Sequence, residues 1–158
     1  MGLLIGRTNI MELQLVMYKE SDLETCTEIY EDAFSPVLNS ELLSREKVWR
    51  YVRDITLTPN FIGYTCWLEN EMVAFCFGKL FNYFEGATYE IAEIAVASKY
   101  HRQGIGSQVL NALEKKLAGF NVSAINLNTS REIPAYNFYL KNGYDEVPDV
   151  TTLAKWLQ

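Results

Sequence analysis

The chain has 158 residues, of which 49% are hydrophobic and 22% charged, and its formal net charge is −6 at pH 7. This length and balance predict one globular domain, spanning residues 1–158, with a core large enough to fold without disulfides. The acidic balance argues against a nucleic-acid-binding module, which normally presents a basic face. A single histidine, His101, argues against histidine-pair metal sites and Ser-His-Asp triads.

The cysteines and the chain start indicate a cytoplasmic protein. Cys26, Cys66 and Cys76 are odd in number and have neither a disulfide pattern nor Cys-x-x-Cys metal spacing, so we expect small buried hydrophobes in a reducing compartment. No apolar run approaches the roughly 20 residues of a membrane span. Residues 1–10 lack the pattern of a signal peptide and are expected to be an extension outside the fold.

Apolar periodicity divides the chain into strands and helices. Ser21 and Glu24 have the spacing of a capping box and predict a helix that Pro36 helps to end. Apolar residues recur every four positions from Ile105 to Leu117, as on one face of a helix, before a glycine expected as its C-cap. In chain order, the prediction is a strand over 12–18, a helix between Ser21 and Pro36, a helix over 41–54, strands over 63–69, 72–80 and 88–96, a helix over 105–117, a strand over 124–129, a helix over 134–142 stopped by Gly143, and strands over 144–147 and 150–156.

The order β-α-α-β-β-β-α-β-α-β-β predicts an α/β or α+β domain with a mixed sheet and flanking helices. Within it, the stretch from Ile94 to Gly106 is an apolar strand that runs through a glycine-containing loop into a helix. Gly104 and Gly106 would let backbone amides at the helix start approach a phosphate closely.

Other phosphate-binding motifs fit this loop less well. A Rossmann fingerprint would need a third glycine where Val109 stands, and a P-loop would need a lysine before Ser107. A nucleotide-binding module is therefore disfavoured. A plain β-to-α turn remains an alternative for the loop taken alone.

The loop and two later segments together resemble the GNAT acetyltransferase superfamily. The family signature is Gln/Arg-x-x-Gly-x-Gly/Ala, followed by a strand and a helix that reads roughly Ala-x-x-Phe-Tyr-x-x-x-Gly-Phe. The chain has His101-Arg-Gln-Gly-Ile-Gly106, then Leu-Asn-Thr129, then Ala135-Tyr-Asn-Phe-Tyr-Leu-Lys-Asn-Gly-Tyr144. It departs from the family at His101, where Gln or Arg is usual, and at Glu132, where many relatives have Asn.

The resemblance implies a mostly antiparallel GNAT-type sheet and acetyl-CoA as the acetyl donor. It assigns Tyr139 as the acid that protonates the leaving thiolate, and Glu90 or Glu93 as the base that deprotonates the acceptor amine. Three residues apart on one strand, these two carboxylates should face opposite sides unless a bulge intervenes. The implied donor-binding residues are Ile94, Ala95, Val96, His101, Arg102, Gln103, Gly104, Ile105, Gly106, Ser107 and Asn128, with a strand amide near Ala95 as oxyanion donor.

The acceptor pocket of the family is formed by the first two helices and the loop between the third and fourth strands. In this chain those segments combine acids with aromatics, which suits a cationic small amine of the polyamine or aminoglycoside type. A solvated acidic helix face with ordinary core aromatics is the alternative. The residues concerned are Asp22, Glu24, Glu28, Glu31, Asp32, Phe34, Trp49, Tyr51, Phe81, Tyr83 and Phe84.

Two other functions remain open. A protein or peptide N-acetyltransferase would use the same donor with an open groove, and a non-catalytic acyl-CoA sensor would bind the donor without turnover. The expected partner is a small-molecule amine, with no nucleic acid and no membrane. The expected last strand carries Trp156, which lies either in the core or in a homodimer interface.

Overall fold

The computed structural model describes residues 12–38 and 44–157. They divide into two compact units, one that ends at Leu127 and one that begins at Asn128. The expected extension at residues 1–10 lies outside the described residues, and the expectation of a single domain stays a prediction. Among the described residues, no helix has the length and apolar character needed to cross a membrane.

The first unit is a five-stranded sheet with three helices. Its strands follow one another in the order β1-β2-β3-β4-β5, and every neighbouring pair is antiparallel except β4 with β5, which is parallel. This arrangement confirms the predicted α/β fold with a mixed, mostly antiparallel sheet. The elements are β1 (Gln14–Met17), α1 (Leu23–Phe34), α2 (Arg45–Thr56), β2 (Phe61–Leu68), β3 (Glu71–Tyr83), β4 (Gly86–Val96), α3 (Ile105–Leu117) and β5 (Val122–Asn126), and the second unit holds α4 (Pro134–Lys141).

The core lies where α1 and α2 cover the central strands. Cys26 on α1 and Val52 on α2 are fully buried against Phe75 and Phe77 of β3. The three cysteines are free and buried, as predicted from their apolar surroundings. This packing fixes α1 and α2 over one face of β3 and β4, which is the face that carries the candidate site.

The structure differs from the sequence prediction at two helix ends. The expected Ser21 capping box is wrong, because the bond observed there runs from the Lys19 amide to Asp22 Oδ2 at 2.9 Å, and Asp22 is the N-cap of α1. At the end of α3, the expected glycine C-cap is replaced by a short 3-10 turn, Ala118–Phe120. Asn121, with φ of 53°, takes the left-handed conformation that ends it.

The two strands predicted over 144–147 and 150–156 are wrong. Gly143 does stop α4, with φ of 84°, but within the described chain no residue from 142 to 157 is in a strand. A strand exists only where a neighbouring strand satisfies its amides and carbonyls, and apolar content alone does not supply that partner. Trp156 is 91% exposed, so a core position is excluded, and the homodimer stays a prediction.

Candidate active site

The loop between β4 and α3 presents free backbone donors at the start of α3. Gly104 is the N-cap with φ of 76° and ψ of 8°, a left-handed conformation that favours glycine. Its carbonyl accepts the Gln108 amide at 3.1 Å, so the amides of residues 105–107 have no partner within the helix. A Cβ added at Gly104 would meet no atom within 4 Å. The helix dipole and these amides therefore favour an anion on an open surface.

The side chains of this loop mostly bind the loop itself. His101 Nε2 lies 2.6 Å from the Val96 carbonyl, and because a carbonyl can only accept, Nε2 carries the proton. Gln103 Nε2 donates to the Lys99 carbonyl at 2.7 Å, and Lys99 forms an ion pair with Glu71. Arg102, which was also expected to bind the donor, is exposed and has φ of 57°. The loop thus offers backbone amides more than side-chain charge.

The edge of β4 that faces β5 is paired over only part of its length. Pairing with β5 covers Ala87 to Glu90, whereas pairing with β3 continues to Val96. The Ala97 amide donates to the Val73 carbonyl at 2.9 Å. In an antiparallel pair, every second residue directs its amide and carbonyl toward the partner strand, so this bond fixes which residues of β4 face β3. The Ala95 amide consequently points toward β3, while the backbone groups of residues 94 and 96 point to the edge facing β5.

A β-bulge brings the two candidate bases onto the same face of β4. Glu93 pairs with Phe77 and Ile91 with Gly78, so the residue between them, Ala92, has no partner on β3. Glu90 pairs with Lys79, two residues from Phe77 on β3, and side chains two apart share a face. The sequence predicted opposite faces for these two carboxylates unless a bulge intervened. The bulge is present, and it places both carboxylates on the side covered by α1 and α2.

The two carboxylates nevertheless have different surroundings. Glu90 lies 3.7 Å from the ammonium of Lys79, and both side chains are 32% exposed. The same ammonium stands 4.7 Å from the ring centre of Phe81. Glu90 therefore has a cation partner that would compensate its negative charge.

Glu93 has a phenol as its partner instead of a cation. Tyr51 on α2 donates a hydrogen bond to Glu93 Oε2 at 2.9 Å. Burial raises the pKa of Glu93 to about 7, although the Tyr51 hydroxyl and the Ile94 amide both lower it. Burial also raises the pKa of Tyr51, so this phenol stays protonated and remains a donor. Tyr51 is 44% exposed, which places the pair at the edge of the core.

Aromatic rings surround this pair on the α1 side. The ring centre of Tyr30 lies 5.4 Å from that of Tyr51 and 4.4 Å from that of Phe34. Burial, with a smaller effect of the Glu93 charge, raises the pKa of Tyr30 to about 12. Three rings and a carboxylate thus meet over the open part of β4. This is a suitable environment for a cation, which is attracted both to ring faces and to negative charge.

The acids of α1 expected to recognise the acceptor make contacts with other elements of the protein. Arg45 at the start of α2 binds Glu24 at 2.7 Å, Glu31 at 2.6 Å and Glu28 at 3.6 Å. Asp32 accepts two hydrogen bonds from Ser98 in the β4–α3 loop. The acids of α1 thus tie this helix to other elements, which favours the alternative of a structural acidic face that the sequence left open.

The other expected aromatics make different contacts. Phe81, Tyr83 and Phe84 are exposed at the β3–β4 hairpin, with Phe84 fully exposed. Trp49 packs against the core and stacks under the guanidinium of Arg53 at 5.5 Å. Tyr30 belongs to the ring cluster although the sequence did not single it out as a site residue.

The second unit holds the remaining predicted residues. Tyr139 lies on α4, half-buried, with its ring centre 5.1 Å from that of Phe138 and 5.4 Å from that of Tyr144. Asn128 is exposed just before α4, as is Glu132. An aromatic cluster therefore fixes the orientation of the Tyr139 ring within its own unit.

A family model for the acetyltransferase (GNAT) family matches residues 23–144 of the chain. The chain belongs to the GNAT acetyltransferase family. This match covers the β4–α3 loop, both candidate bases and Tyr139. The predicted family and enzyme class are thereby confirmed: the chain is a GNAT acetyltransferase.

Solved structures of other proteins share the GNAT fold of this chain. A possible acetyltransferase from Clostridium difficile 630 is 16% identical with a TM-score of 0.76, over 93% of this chain and 99% of that one. An aminoglycoside acetyltransferase from an uncultured soil metagenomic sample, in complex with sisomicin, is 18% identical with a TM-score of 0.69, over 92% and 97%. AAC(6')-Iy, in complex with a bisubstrate analog that contains CoA, is 12% identical with a TM-score of 0.65, over 92% and 99%.

These identities are low enough that the likeness shows the GNAT fold alone. No curated protein matches the chain at a significant level.

Proposed function

We propose that this GNAT acetyltransferase transfers the acetyl group of acetyl-CoA to a primary amine of a cationic small molecule, by direct attack of the amine. The observation that carries the proposal is the Glu93–Tyr51 pair, a carboxylate with a pKa near 7 beside the unpaired edge of β4. A base works best when its pKa lies near the working pH, and Glu93 meets that condition.

The donor site fits the phosphate-containing part of acetyl-CoA. The amides of residues 105–107 and the exposed side chain of Arg102 would hold the pyrophosphate. The backbone of residues 94 and 96 would pair with the pantetheine arm. When bound, acetyl-CoA supplies a thioester carbonyl as the electrophile. The amide of residue 96 suits the oxyanion better than that of Ala95, because the latter points toward β3. The Ile94 amide already interacts with the Glu93 carboxylate.

Glu93 rather than Glu90 is assigned as the base. An amine reaches the site protonated and must lose a proton before its nitrogen can attack. A carboxyl group with a pKa of about 7 can accept that proton at neutral pH. Glu90 is instead held in an ion pair with Lys79 at 3.7 Å.

Tyr139 is assigned as the acid. As the nitrogen–carbon bond forms and the carbon–sulfur bond breaks, the departing sulfur requires a proton. A phenol is neutral at pH 7 and can donate one. The assignment rests on the position of Tyr139 in the family motif and on the ring contacts that orient it.

The preference for a cationic acceptor rests on the cluster around Glu93. Tyr30, Phe34 and Tyr51 supply ring faces, and the carboxylate supplies negative charge. Two of the structural neighbours are aminoglycoside acetyltransferases, which supports the same class of acceptor. The free cysteines support a cytoplasmic location.

The test is thiol release from acetyl-CoA with polyamines, aminoglycosides, amino acids and lysine peptides as acceptors. We expect release with a polycationic small amine, a loss of about 10²- to 10⁴-fold in kcat with Glu93→Gln, and a smaller loss with Glu90→Gln as the matched control. Tyr139→Phe should also lower kcat. Turnover of lysine peptides alone would favour a protein acetyltransferase, and acetyl-CoA binding without turnover would favour a sensor.

A further inference from the structure

The β4–α3 loop is tied to α1 by one carboxylate that accepts two hydrogen bonds from a single residue. Asp32 Oδ2 accepts the Ser98 amide at 2.6 Å, and Asp32 Oδ1 accepts the Ser98 hydroxyl at 2.8 Å. The two residues are 66 positions apart in the chain. Two bonds to two different oxygens fix the direction of the contact as well as its length, and bonds to a charged acceptor are stronger than neutral ones.

The same loop has a second tie, from the start of β3. Glu71 forms an ion pair with Lys99 and accepts a hydrogen bond from the Tyr100 hydroxyl at 2.8 Å. The short 3-10 turn Ser98–Tyr100 is therefore held by α1 at its first residue and by β3 at its last two. The loop continues from this turn to Gly104, the N-cap of α3.

We propose that Asp32 is a positioning residue for the donor, which holds the β4–α3 loop in the conformation that binds the pyrophosphate of CoA. This inference rests on the proposed donor site at residues 101–107. A loop that must become ordered on binding lowers affinity by the cost of that ordering, so a loop fixed beforehand binds more tightly. Asp32 does not touch the donor in this scheme and acts through Ser98.

The position of Asp32 on α1 separates this role from acceptor binding. Tyr30 and Phe34, two residues away on either side, belong to the ring cluster near Glu93, whereas Asp32 faces the loop. Loss of the Asp32 contact should consequently change the KM for acetyl-CoA and leave kcat and the acceptor KM at saturating donor unchanged. A general loss of structure would change all three.

The experiment measures CoA binding by calorimetry and steady-state kinetics for the full chain. Asp32→Asn and Ser98→Ala should each raise the Kd for CoA and the KM for acetyl-CoA about three- to tenfold, and the double variant no more than the larger single effect. Ser98→Thr keeps the hydroxyl and should behave like the wild type. Asp54→Asn makes the same chemical change at an exposed helix position and is the control.

The outcomes separate this proposal from the one on which it rests. If the wild type does not bind CoA, the donor site itself is overturned. If the wild type binds CoA and the single variants bind equally well, or if their effects add fully in the double variant, the positioning role is overturned. Ser98→Ala retains the amide bond to Asp32, so it provides the test even if Asp32→Asn fails to fold.

Discussion

At the scale of single residues, Glu93 is defined more by its neighbours than by its own position. Tyr51 on α2, Tyr30 on α1 and Cys76 on β3 all interact with it electrostatically. On the same face, Lys79 is paired with Glu90. The pKa of Glu93 is thus determined mainly by burial and by the hydrogen bond from Tyr51. These act in opposite directions, since burial favours the neutral acid and the Tyr51 hydrogen bond favours the carboxylate.

Tyr51→Phe should therefore move the acidic limb of the kcat/KM profile to higher pH. The variant loses the bond that favours the charged form of Glu93, so the pKa of Glu93 rises from about 7 to a higher value. We expect a shift of up to about one pH unit, with the rate reduced at pH 7 and recovered by pH 9. The measurement is kcat/KM from pH 5 to 9.5 with one amine acceptor.

A uniform loss of rate at every pH would contradict this prediction and would mean that Tyr51 only shapes the pocket. The sequence identified Tyr51 as an aromatic of the acceptor region but not as the partner of Glu93, because 42 residues separate them. Contacts at that separation are set by how α2 packs over β4. Glu93 itself was identified through its place in a family strand, which is a local feature.

At the scale of elements, Arg45 connects α2 to α1 through ion pairs. Arg45 lies at the start of α2, and its guanidinium reaches three glutamates spaced along α1, although all of these groups are partly exposed. Single exposed ion pairs contribute little to stability, but a cation shared among several acids contributes more. The acidic stripe of α1, which resembled a solvated or ligand-binding face in the sequence, is explained by this contact.

Arg45→Gln should lower the free energy of unfolding by about 1 kcal/mol at low salt. The loss should shrink in 0.5 M NaCl, where the Debye length falls to roughly 4 Å and exposed pairs are screened. Arg50→Gln is the matched control, since Arg50 forms one exposed pair with Glu46 within the same helix and should cost about 0.3–0.5 kcal/mol. Equal losses for the two variants in urea denaturation would contradict the network.

Local pattern predicted the elements well wherever a neighbour in the sequence decides the structure. The strand at 88–96 and the helix at 105–117 agree with β4 and α3 to within two residues. The sequence could not predict whether a bulge occurs at Ala92, because a bulge is defined by the pairing of β4 with β3. The prediction of two final strands was wrong because strand formation also depends on a partner strand, and none is present for them in the described residues.

At the scale of the whole molecule, the net charge of −6 agrees with the proposed cationic acceptor and not with the anionic donor. An acidic protein attracts cations by long-range steering and repels anions, and both effects weaken as salt screens the field. In the proposed donor site, short-range contacts with the backbone amides at the start of α3 would compensate for the unfavourable overall charge. A cationic acceptor would be attracted by the field before it reaches Glu93.

The kcat/KM for a polycationic amine should consequently fall as ionic strength rises, by about three- to tenfold between 20 and 300 mM NaCl. A monoamine of low charge should change less under the same conditions, because its interaction with the field is smaller in proportion to its charge. The ratio of the two kcat/KM values removes any effect of salt on the donor, since both reactions use the same acetyl-CoA. A ratio that does not change with salt would show that selection occurs through shape and hydrogen bonds at the ring cluster, without a contribution from the charge of the protein.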